Sequence, residues 1–287
     1  MERVRRALGL GAVLSAVLGL LVVGQAASAA PAPLEYVNMG DSYSAGSGIV
    51  PPAPGAPPQC TQSALNWGHD LAASQGYHLT DVSCGGAQTK DFTTSQFPGV
   101  APQLDALSSA TRLVTMTIGG NDNNVFIDAI TRCGSAAATT AGQGNPCQRT
   151  YGTSFVDTIN NITYPNLLRA LAAVRLKAPK ARVAISGYLQ ILPPTKGCYP
   201  VMPVAVGDVP YLDGIEAALN DAVRRAASPT GVTFLDESGT SAGHNACQPI
   251  GTRWVEPVVG STNYIQVHPN ALGERAMADR VLATAKP

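Results

Sequence analysis

A serine and a histidine far apart in the chain could together perform nucleophilic catalysis. Ser42 stands in segment 40–43 (GDSY), directly after a short apolar run, and His268 stands in segment 267–270 (VHPN), before a stretch with helical spacing. A serine hydroxyl becomes a strong nucleophile when a neighbouring imidazole removes its proton. Each motif alone is weak, because Gly-Asp-Ser is also an ordinary turn and a histidine beside a helix is often a plain surface residue.

Two further segments are rich in hydrogen-bond donors. Segment 83–89 (SCGGAQT) and segment 119–122 (GGND) each contain paired glycines, which let backbone amides approach a ligand, and Asn121 adds a side-chain amide. Donors of this kind can stabilise the negative oxygen that develops in acyl transfer. The alternative for each segment is a simple turn with a helix cap. Asp41 and Asp122 are interpreted as structural residues that fix these loops.

The other candidate chemistries are less well supported. His69, His78 and His244 fall in a predicted helix, a predicted strand and a loop, without a partner of obvious function. The run 46–48 (GSG) could belong to a phosphate cradle, but no complete nucleotide-binding glycine motif follows it. No paired cysteine or histidine spacing indicates zinc, so no metal or cofactor is expected.

Short β-rich runs alternate with helix-length segments along the chain. We predict strands at 34–39, 77–82, 112–118, 181–186 and 231–235, and helices at 63–74, 155–177, 211–227 and 270–285. Such alternation is typical of a parallel sheet covered by helices on both faces, with reactive residues on loops at the carboxyl ends of the strands. The remaining long segments are predicted to be irregular: 49–61, 133–150, 189–207 and 236–263.

The first 29 residues resemble a secretory signal peptide. Three arginines precede an apolar run, and segment 27–30 (ASAA) offers a cleavage site, favoured after Ala29. A membrane anchor is the alternative. Cleavage would leave residues 30–287 as a single domain with 16 basic and 18 acidic residues, a formal charge of −2. This balance gives no reason to expect nucleic acid or an anionic membrane as a partner.

Six cysteines remain after the predicted cleavage, an even number that indicates disulfides in an exported protein. Six cysteines allow about 15 pairings. We favour the sequential pairing, in which each bridge closes a long loop and restricts the unfolded chain by roughly 2–4 kcal/mol: Cys60–Cys84, Cys133–Cys147 and Cys198–Cys247.

Taken together, the four motifs resemble the four blocks of the SGNH (GDSL-type) hydrolase family, over about residues 34 to 285. Ser42 corresponds to the nucleophile, Gly86 to the oxyanion glycine, Asn121 to the oxyanion asparagine and His268 to the base. Segment 46–48, the cysteine pattern and the His-Pro-Asn block look most like secreted actinomycete lipases and esterases. The resemblance implies a three-layer α/β/α sandwich of flavodoxin-like form, with about five parallel strands.

The resemblance also implies a reaction. Ser42 would attack an ester carbonyl while His268 takes its proton, and the amides of Ser42, Gly86 and Asn121 would form the oxyanion hole. The expected substrates are lipid esters or short-to-medium acyl esters, with phospholipase, carbohydrate acetylesterase and a non-catalytic secreted binding protein as alternatives. We expect a monomer without a stable membrane anchor. Candidate residues for the acyl site are Tyr43, Phe126, Ile127, Ile191, Leu192, Tyr199 and Trp254.

One position departs from the family pattern. The family usually places an aspartate three residues before the histidine to orient its imidazole, and here that position is Ile265. We therefore predict a Ser–His dyad in which the backbone carbonyl of Ile265 or Gln266 orients His268. A neutral carbonyl can fix the tautomer, although it stabilises an imidazolium less than a carboxylate does. Glu256 is a remote side-chain alternative.

Overall fold

A computed structural model of the protein describes residues 32–286. The predicted signal peptide lies outside these residues. Five parallel strands form one sheet in the order β2-β1-β3-β4-β5, which confirms the predicted α/β class. The strands are β1 (Glu35–Gly40), β2 (His78–Asp81), β3 (Leu113–Thr117), β4 (Arg182–Ser186) and β5 (Thr233–Leu235).

Helices cover both faces of the sheet. The principal helices are α1 (Ser42–Ala45), α2 (Trp67–Gln75), α3 (Val125–Thr139), α4 (Pro146–Tyr151), α5 (Ser154–Thr158), α6 (Tyr164–Lys177), α7 (Val209–Thr230) and α8 (Ala271–Thr284). Helices α6 and α7 contribute to the core on one face, and α2 and α8 contribute to the core on the other. The three-layer arrangement follows.

Alternation along the strands supplies these two cores. In β1, Val37 and Met39 face the side of α6 and α7, whereas Tyr36 faces the side of α2 and α8. In β3, Val114 and Leu113 divide in the same way. Successive side chains of a strand point to opposite faces, so a strand with apolar side chains on both faces must be covered on both.

The segment 133–150 was wrongly predicted to be irregular. Helix α3 continues through Thr139, and α4 follows it. The buried face of α3 consists of Val125, Ala129, Cys133 and Ala137, which recur every fourth residue. These side chains are mostly small, so the helical period is weak in hydrophobicity although it is regular in position.

The predicted helix 155–177 has an interruption. A π-helical segment, Ile159–Thr163, joins α5 to α6, and the amide of Tyr164 donates to the carbonyl of Ile159. Pro165 lies in the first turn of α6 and has no amide hydrogen. A proline removes one hydrogen bond of a regular helix, and the wider turn accommodates this loss.

All six cysteines are paired in disulfides, and the pairing is sequential: Cys60–Cys84, Cys133–Cys147 and Cys198–Cys247. The first bridge ties the 49–61 loop to the loop that follows β2. The third joins the 189–207 and 236–263 loops.

Among residues 32–286, no helix is long and apolar enough to cross a bilayer.

Candidate active site

Ser42 is the first residue of α1 and follows β1 after a one-residue turn. Gly40 has a φ of +111°, and a Cβ there would lie 2.1 Å from the carbonyl oxygen of Thr117. Only glycine fits this approach of the backbone to β3. The Asp41 carboxylate caps α1 by accepting from the amide of Tyr43 at 3.1 Å. The chain therefore turns sharply and presents Ser42 at the carboxyl edge of the sheet.

Asp41 also anchors this turn to neighbouring elements. Its carboxylate accepts hydrogen bonds from the hydroxyl of Thr117 at 2.7 Å and from the hydroxyl of Tyr188. Tyr188 in turn accepts from the amide of Gly120 at 2.8 Å. Burial raises the pKa of Asp41 to about 6, although these hydrogen bonds act to lower it. Asp41 is thus a structural residue.

The imidazole of His268 contacts Ser42 directly. The distance from His268 Nε2 to Ser42 Oγ is 2.8 Å, and the distance from His268 Nδ1 to the carbonyl oxygen of Gln266 is 2.7 Å. A carbonyl can only accept, so Nδ1 carries the hydrogen and Nε2 presents its lone pair to the serine hydroxyl. Burial lowers the pKa of His268, while the Gln266 carbonyl acts to raise it.

An unusual backbone turn brings the Gln266 carbonyl to this position. Val267 has a φ of +58°, in the left-handed region that a β-branched residue rarely adopts. Its carbonyl accepts from the hydroxyl of Tyr43 at 3.0 Å, and its amide donates to the carbonyl of Glu256 at 2.9 Å. The amide of Glu256 donates back to the carbonyl of His268 at 2.9 Å. These bonds hold the histidine loop from both sides.

Of the three orienting groups considered from the sequence, the structure places only the Gln266 carbonyl on the imidazole. The Glu256 carboxylate instead pairs with Arg253 at 2.6 Å and accepts from the amide of Thr262 and the side chain of Asn270. Burial acts to raise the pKa of Glu256, but these hydrogen bonds hold it below its usual value. Glu256 therefore supports the loop without touching the imidazole.

The glycine-rich loop after β2 and the Asn121 loop after β3 lie on either side of Ser42, because β1 is between β2 and β3. Asn121 Nδ2 donates to the carbonyl of Ala87 at 3.1 Å, which links the two loops. Gly86 is exposed and has a φ of +75°. Within residues 32–286, the amides of Ser42 and Gly86 donate no hydrogen bond and are available to a ligand.

Asp122 fixes the same pair of loops. Its carboxylate accepts from both the amide and the hydroxyl of Thr89, at 2.8 and 2.7 Å.

Among residues 32–286, no group of three or more His, Cys, Asp or Glu side chains is placed to hold a metal ion.

An apolar cavity of about 80 Å³ lies on the far side of the aromatic residues that pack around His268 and Tyr43. Its wall includes Phe126, whose ring centroid is 5.7 Å from that of His268, and Tyr188, whose ring is 5.1 Å from that of Tyr43. Other wall residues come from α3, α7 and the loop after β4. They include Val125, Ile130, Ile191, Leu192, Leu212 and Leu219.

The acyl-site candidates divide accordingly. Phe126, Ile191 and Leu192 line the cavity. Four other candidates do not line it: Tyr43 is buried behind Ser42, Trp254 stacks on His244 at 4.0 Å, and Ile127 and Tyr199 are exposed.

Two residues of this region were not identified from the sequence. Tyr188 follows β4 by two residues, so the rule that strand ends carry the site could have found it. Glu216 lies in the middle of α7 and lines the apolar cavity. Nothing in its local sequence distinguishes it from a surface carboxylate of an amphipathic helix.

The chain is similar to known lipases over most of its length. Residues 39–276 match the sequence model of the GDSL-like lipase/acylhydrolase family. The chain is 54% identical to Lipase 2 of Streptomyces coelicolor over 276 residues, which cover 93% of each protein.

Solved structures give the same result. Phospholipase A1 from Streptomyces albidoflavus NA297 has 26% identity and a TM-score of 0.74, covering 88% of this chain and 100% of that chain. An extracellular lipase from Streptomyces rimosus has 24% identity and a TM-score of 0.72, with the same coverage, and supports the fold alone. The chain therefore belongs to the GDSL-like lipase/acylhydrolase family and is a carboxylester hydrolase.

Proposed function

We propose that the protein hydrolyses acyl esters through a Ser42–His268 dyad and a covalent acyl-enzyme. One observation carries this proposal. Ser42 Oγ is 2.8 Å from His268 Nε2, and the other ring nitrogen is held by the carbonyl of Gln266. This geometry is that of a nucleophile beside a general base whose tautomer is fixed.

The reaction has two half-reactions. Ser42 Oγ attacks the ester carbonyl as its proton moves to His268 Nε2, and a tetrahedral oxyanion forms. Nε2 then gives the proton to the leaving alcohol, and the carbon–oxygen bond of the ester breaks to leave Ser42 acylated. Nε2 then takes a proton from a water molecule that attacks the acyl carbon. The bond between that carbon and Ser42 Oγ breaks, Nε2 returns the proton to Oγ, and the carboxylic acid is released.

The oxyanion would be held by the amides of Ser42 and Gly86 and by Nδ2 of Asn121. Asn121 uses one of its two amide hydrogens for the Ala87 carbonyl and retains the other for the substrate. Loss of one such donor typically lowers kcat by about 10²–10³-fold. Asn121→Ala is therefore expected to lose activity of that order. Asn123→Gly is the matched control, because Asn123 is exposed and already has a positive φ.

The apolar cavity supports an acyl chain longer than acetyl as the preferred group. Its wall begins at Phe126 beside His268 and continues along α3 and α7. The likeness to phospholipase A1 makes phospholipid a second candidate substrate. Release of fatty acid from phosphatidylcholine vesicles, compared with release from tributyrin, would distinguish the two.

The decisive experiment uses p-nitrophenyl esters from acetate to palmitate. Wild type should hydrolyse them, Ser42→Ala should not, and Ser74→Ala, a serine on α2 remote from the site, should match wild type. A serine-reactive phosphonate should label Ser42 in wild type. Absence of both hydrolysis and labelling in correctly disulfide-bonded protein would instead favour a secreted binding protein.

We also propose that the protein is exported. The basic and apolar character of the first 29 residues and the three disulfides support this. Expression of the full sequence in an actinomycete host should release protein into the medium with Ala30 at its amino terminus. Retention of an intact amino terminus in the membrane fraction would support the anchor alternative.

A further inference from the structure

Glu216 places a carboxyl group in the wall of an otherwise apolar cavity. It lies on α7, between Ile215 and the turn that carries Leu219, both of which line the same cavity. The carboxyl accepts one hydrogen bond, from the amide of Ile191 to Oε2 at 3.0 Å. Within residues 32–286, Oε1 makes no hydrogen bond and Glu216 forms no ion pair.

The elements packed around Glu216 bring no compensating positive charge. The carboxyl of Asp213, one turn earlier on α7, acts to raise the pKa of Glu216 further. Tyr43 and Tyr188 are neutral phenols, because burial holds their pKa values well above the usual range. Burial lowers the pKa of His268, whose ring packs against Phe126, and so disfavours its charged form.

The charged residues of α3 do not line this cavity. Its residues in the cavity wall are apolar, whereas Arg132 pairs with Asp128 at 2.9 Å and the two line a separate cavity. The wall residues from the 202–204 loop and Val258 carry no charge. Burial therefore raises the pKa of Glu216 to about 8, and the carboxyl is neutral below that pH.

The charge of this group decides what the cavity can hold. An alkyl chain that enters the cavity removes water from Oε1. A neutral carboxyl loses little, whereas an ionised one becomes a buried charge that has the Ile191 amide but no ion-pair partner, which is costly. An acetyl group has a single carbon beyond the carbonyl, so we expect it not to reach Oε1.

We propose that Glu216 is a specificity-determining residue of the acyl cavity. The cavity admits a long apolar acyl chain while the Glu216 carboxyl is protonated, and it disfavours such a chain when the carboxyl is ionised. This inference rests on the proposed function. It assigns to Glu216 a selective role, because Ser42 and His268 act on long and short esters alike.

The test is the ratio of kcat/KM for p-nitrophenyl decanoate to that for p-nitrophenyl acetate, measured from pH 6 to 9.5. The leaving group and the dyad are common to both esters, so the ratio cancels their pH dependence. For wild type we expect a constant ratio below about pH 7 and a fall of at least tenfold by pH 9.5. For Glu216→Gln we expect a ratio that does not change with pH.

Asp213→Asn is the matched control. Asp213 is the neighbouring carboxylate on the same helix but does not line the cavity. The fall in the ratio should persist in this variant, with its midpoint at lower pH because the repulsion by Asp213 is gone. A constant ratio in wild type, or an equal fall in Glu216→Gln, would overturn the proposal.

Thermal unfolding gives a second measurement. The unfolded carboxyl ionises near its usual pKa while the folded one stays protonated, so Glu216 lowers stability progressively as pH rises from about 4.5 to 8. Glu216→Gln should therefore raise Tm relative to wild type more at pH 8 than at pH 5, and an equal shift at both would contradict the proposal.

The outcomes separate the two proposals. Hydrolysis of neither ester by wild type would overturn the proposed function and the role of Glu216 with it. Hydrolysis of both at a constant ratio would overturn only the role of Glu216. If Glu216→Gln does not fold, Glu216→Met supplies a neutral side chain of similar length for the same comparison.

Discussion

At the scale of single residues, the notable feature of this site is the neutral partner of the histidine. The Gln266 carbonyl fixes the tautomer of His268 through Nδ1, as a carboxylate would, but it carries no full charge to stabilise the imidazolium. Burial also disfavours the charged ring. Both effects keep His268 available as a base at lower pH than an aspartate-paired histidine.

The first prediction concerns the acid limb of the pH profile. The reaction needs neutral His268, and burial lowers its pKa from 6.5. The kcat/KM for p-nitrophenyl acetate should therefore fall only below pH 6.5, with an apparent midpoint under that value. Circular dichroism at each pH would show that the protein stays folded. A midpoint above 6.5 would mean that a negative group, not the carbonyl, dominates the environment of the ring.

The second prediction concerns Glu256. Its carboxylate contacts Arg253, Thr262 and Asn270 but not the imidazole. Glu256→Gln should keep kcat within about tenfold of wild type. It should lower the free energy of unfolding by roughly 1–3 kcal/mol, because the buried guanidinium of Arg253 loses the charge of its partner and keeps only neutral acceptors such as the Gly260 carbonyl.

Steady-state kinetics and chemical denaturation on the same preparation would test both parts. A loss of kcat near a thousandfold in a fully folded variant would contradict the dyad and would mean that Glu256 takes part in catalysis.

The sequence carries enough information to identify the reacting residues but not their orientation. Ser42, Asn121 and His268 belong to local motifs with recognisable residue types. The choice between the carbonyls of Ile265 and Gln266 depends on the positive φ of Val267. A valine rarely adopts a positive φ, so the sequence does not predict this turn. Glu216 was missed because its chemistry arises from the apolar groups that three distant segments bring around it.

At the scale of elements, strands were easier to predict than helix ends. The strands β1, β3 and β4 are buried along nearly their whole length, and their mostly apolar residues make them easy to recognise, whereas β2, at the edge of the sheet, is only partly buried. Helix ends depend on capping residues. Helix α2 begins at Trp67, four residues later than predicted, because Asn66 caps it. Gly231, which has a φ of +66°, ends helix α7, whereas the sequence predicted that a strand begins there. The buried residues of α3 are mostly small, so its helical pattern is weak in hydrophobicity and the helix was not predicted.

The third prediction concerns the turn between β1 and α1. Gly40→Ala would place a Cβ 2.1 Å from the Thr117 carbonyl at a φ of +111°, so the turn and the neighbouring strand would have to separate. Gly76→Ala is the matched control, because Gly76 also has a positive φ but has open space around it. The control should cost about 1 kcal/mol.

Gly40→Ala should cost several times more than Gly76→Ala in the free energy of unfolding, and it should also reduce kcat. Urea unfolding of both variants would measure the difference. Equal losses would show that the positive φ alone, rather than the close approach to β3, requires glycine at position 40.

At the scale of the whole molecule, the reactive groups belong to loops from distant parts of the chain, and one disulfide, Cys60–Cys84, is attached to one of these loops. The Cys60–Cys84 bridge lies directly before Gly85, whose amide donates to the carbonyl of Cys60 at 2.8 Å. The amide of Cys84 donates to the carbonyl of Gly40 at 3.0 Å. The Gly86 loop is thus connected both to the 49–61 loop and to the turn that presents Ser42.

The fourth prediction separates this bridge from Cys133–Cys147, which joins α3 to α4. Each bridge should contribute roughly 2–4 kcal/mol by restricting the unfolded chain, so replacing either cysteine pair with alanines should lower Tm. Only loss of Cys60–Cys84 should also lower kcat for p-nitrophenyl acetate, because it frees the loop that carries the Gly86 amide. The assay must be run well below the lower Tm of the two variants, so that both are fully folded. Equal kcat values would mean that the hydrogen bonds of Cys84 and Gly85 hold the oxyanion loop without the disulfide.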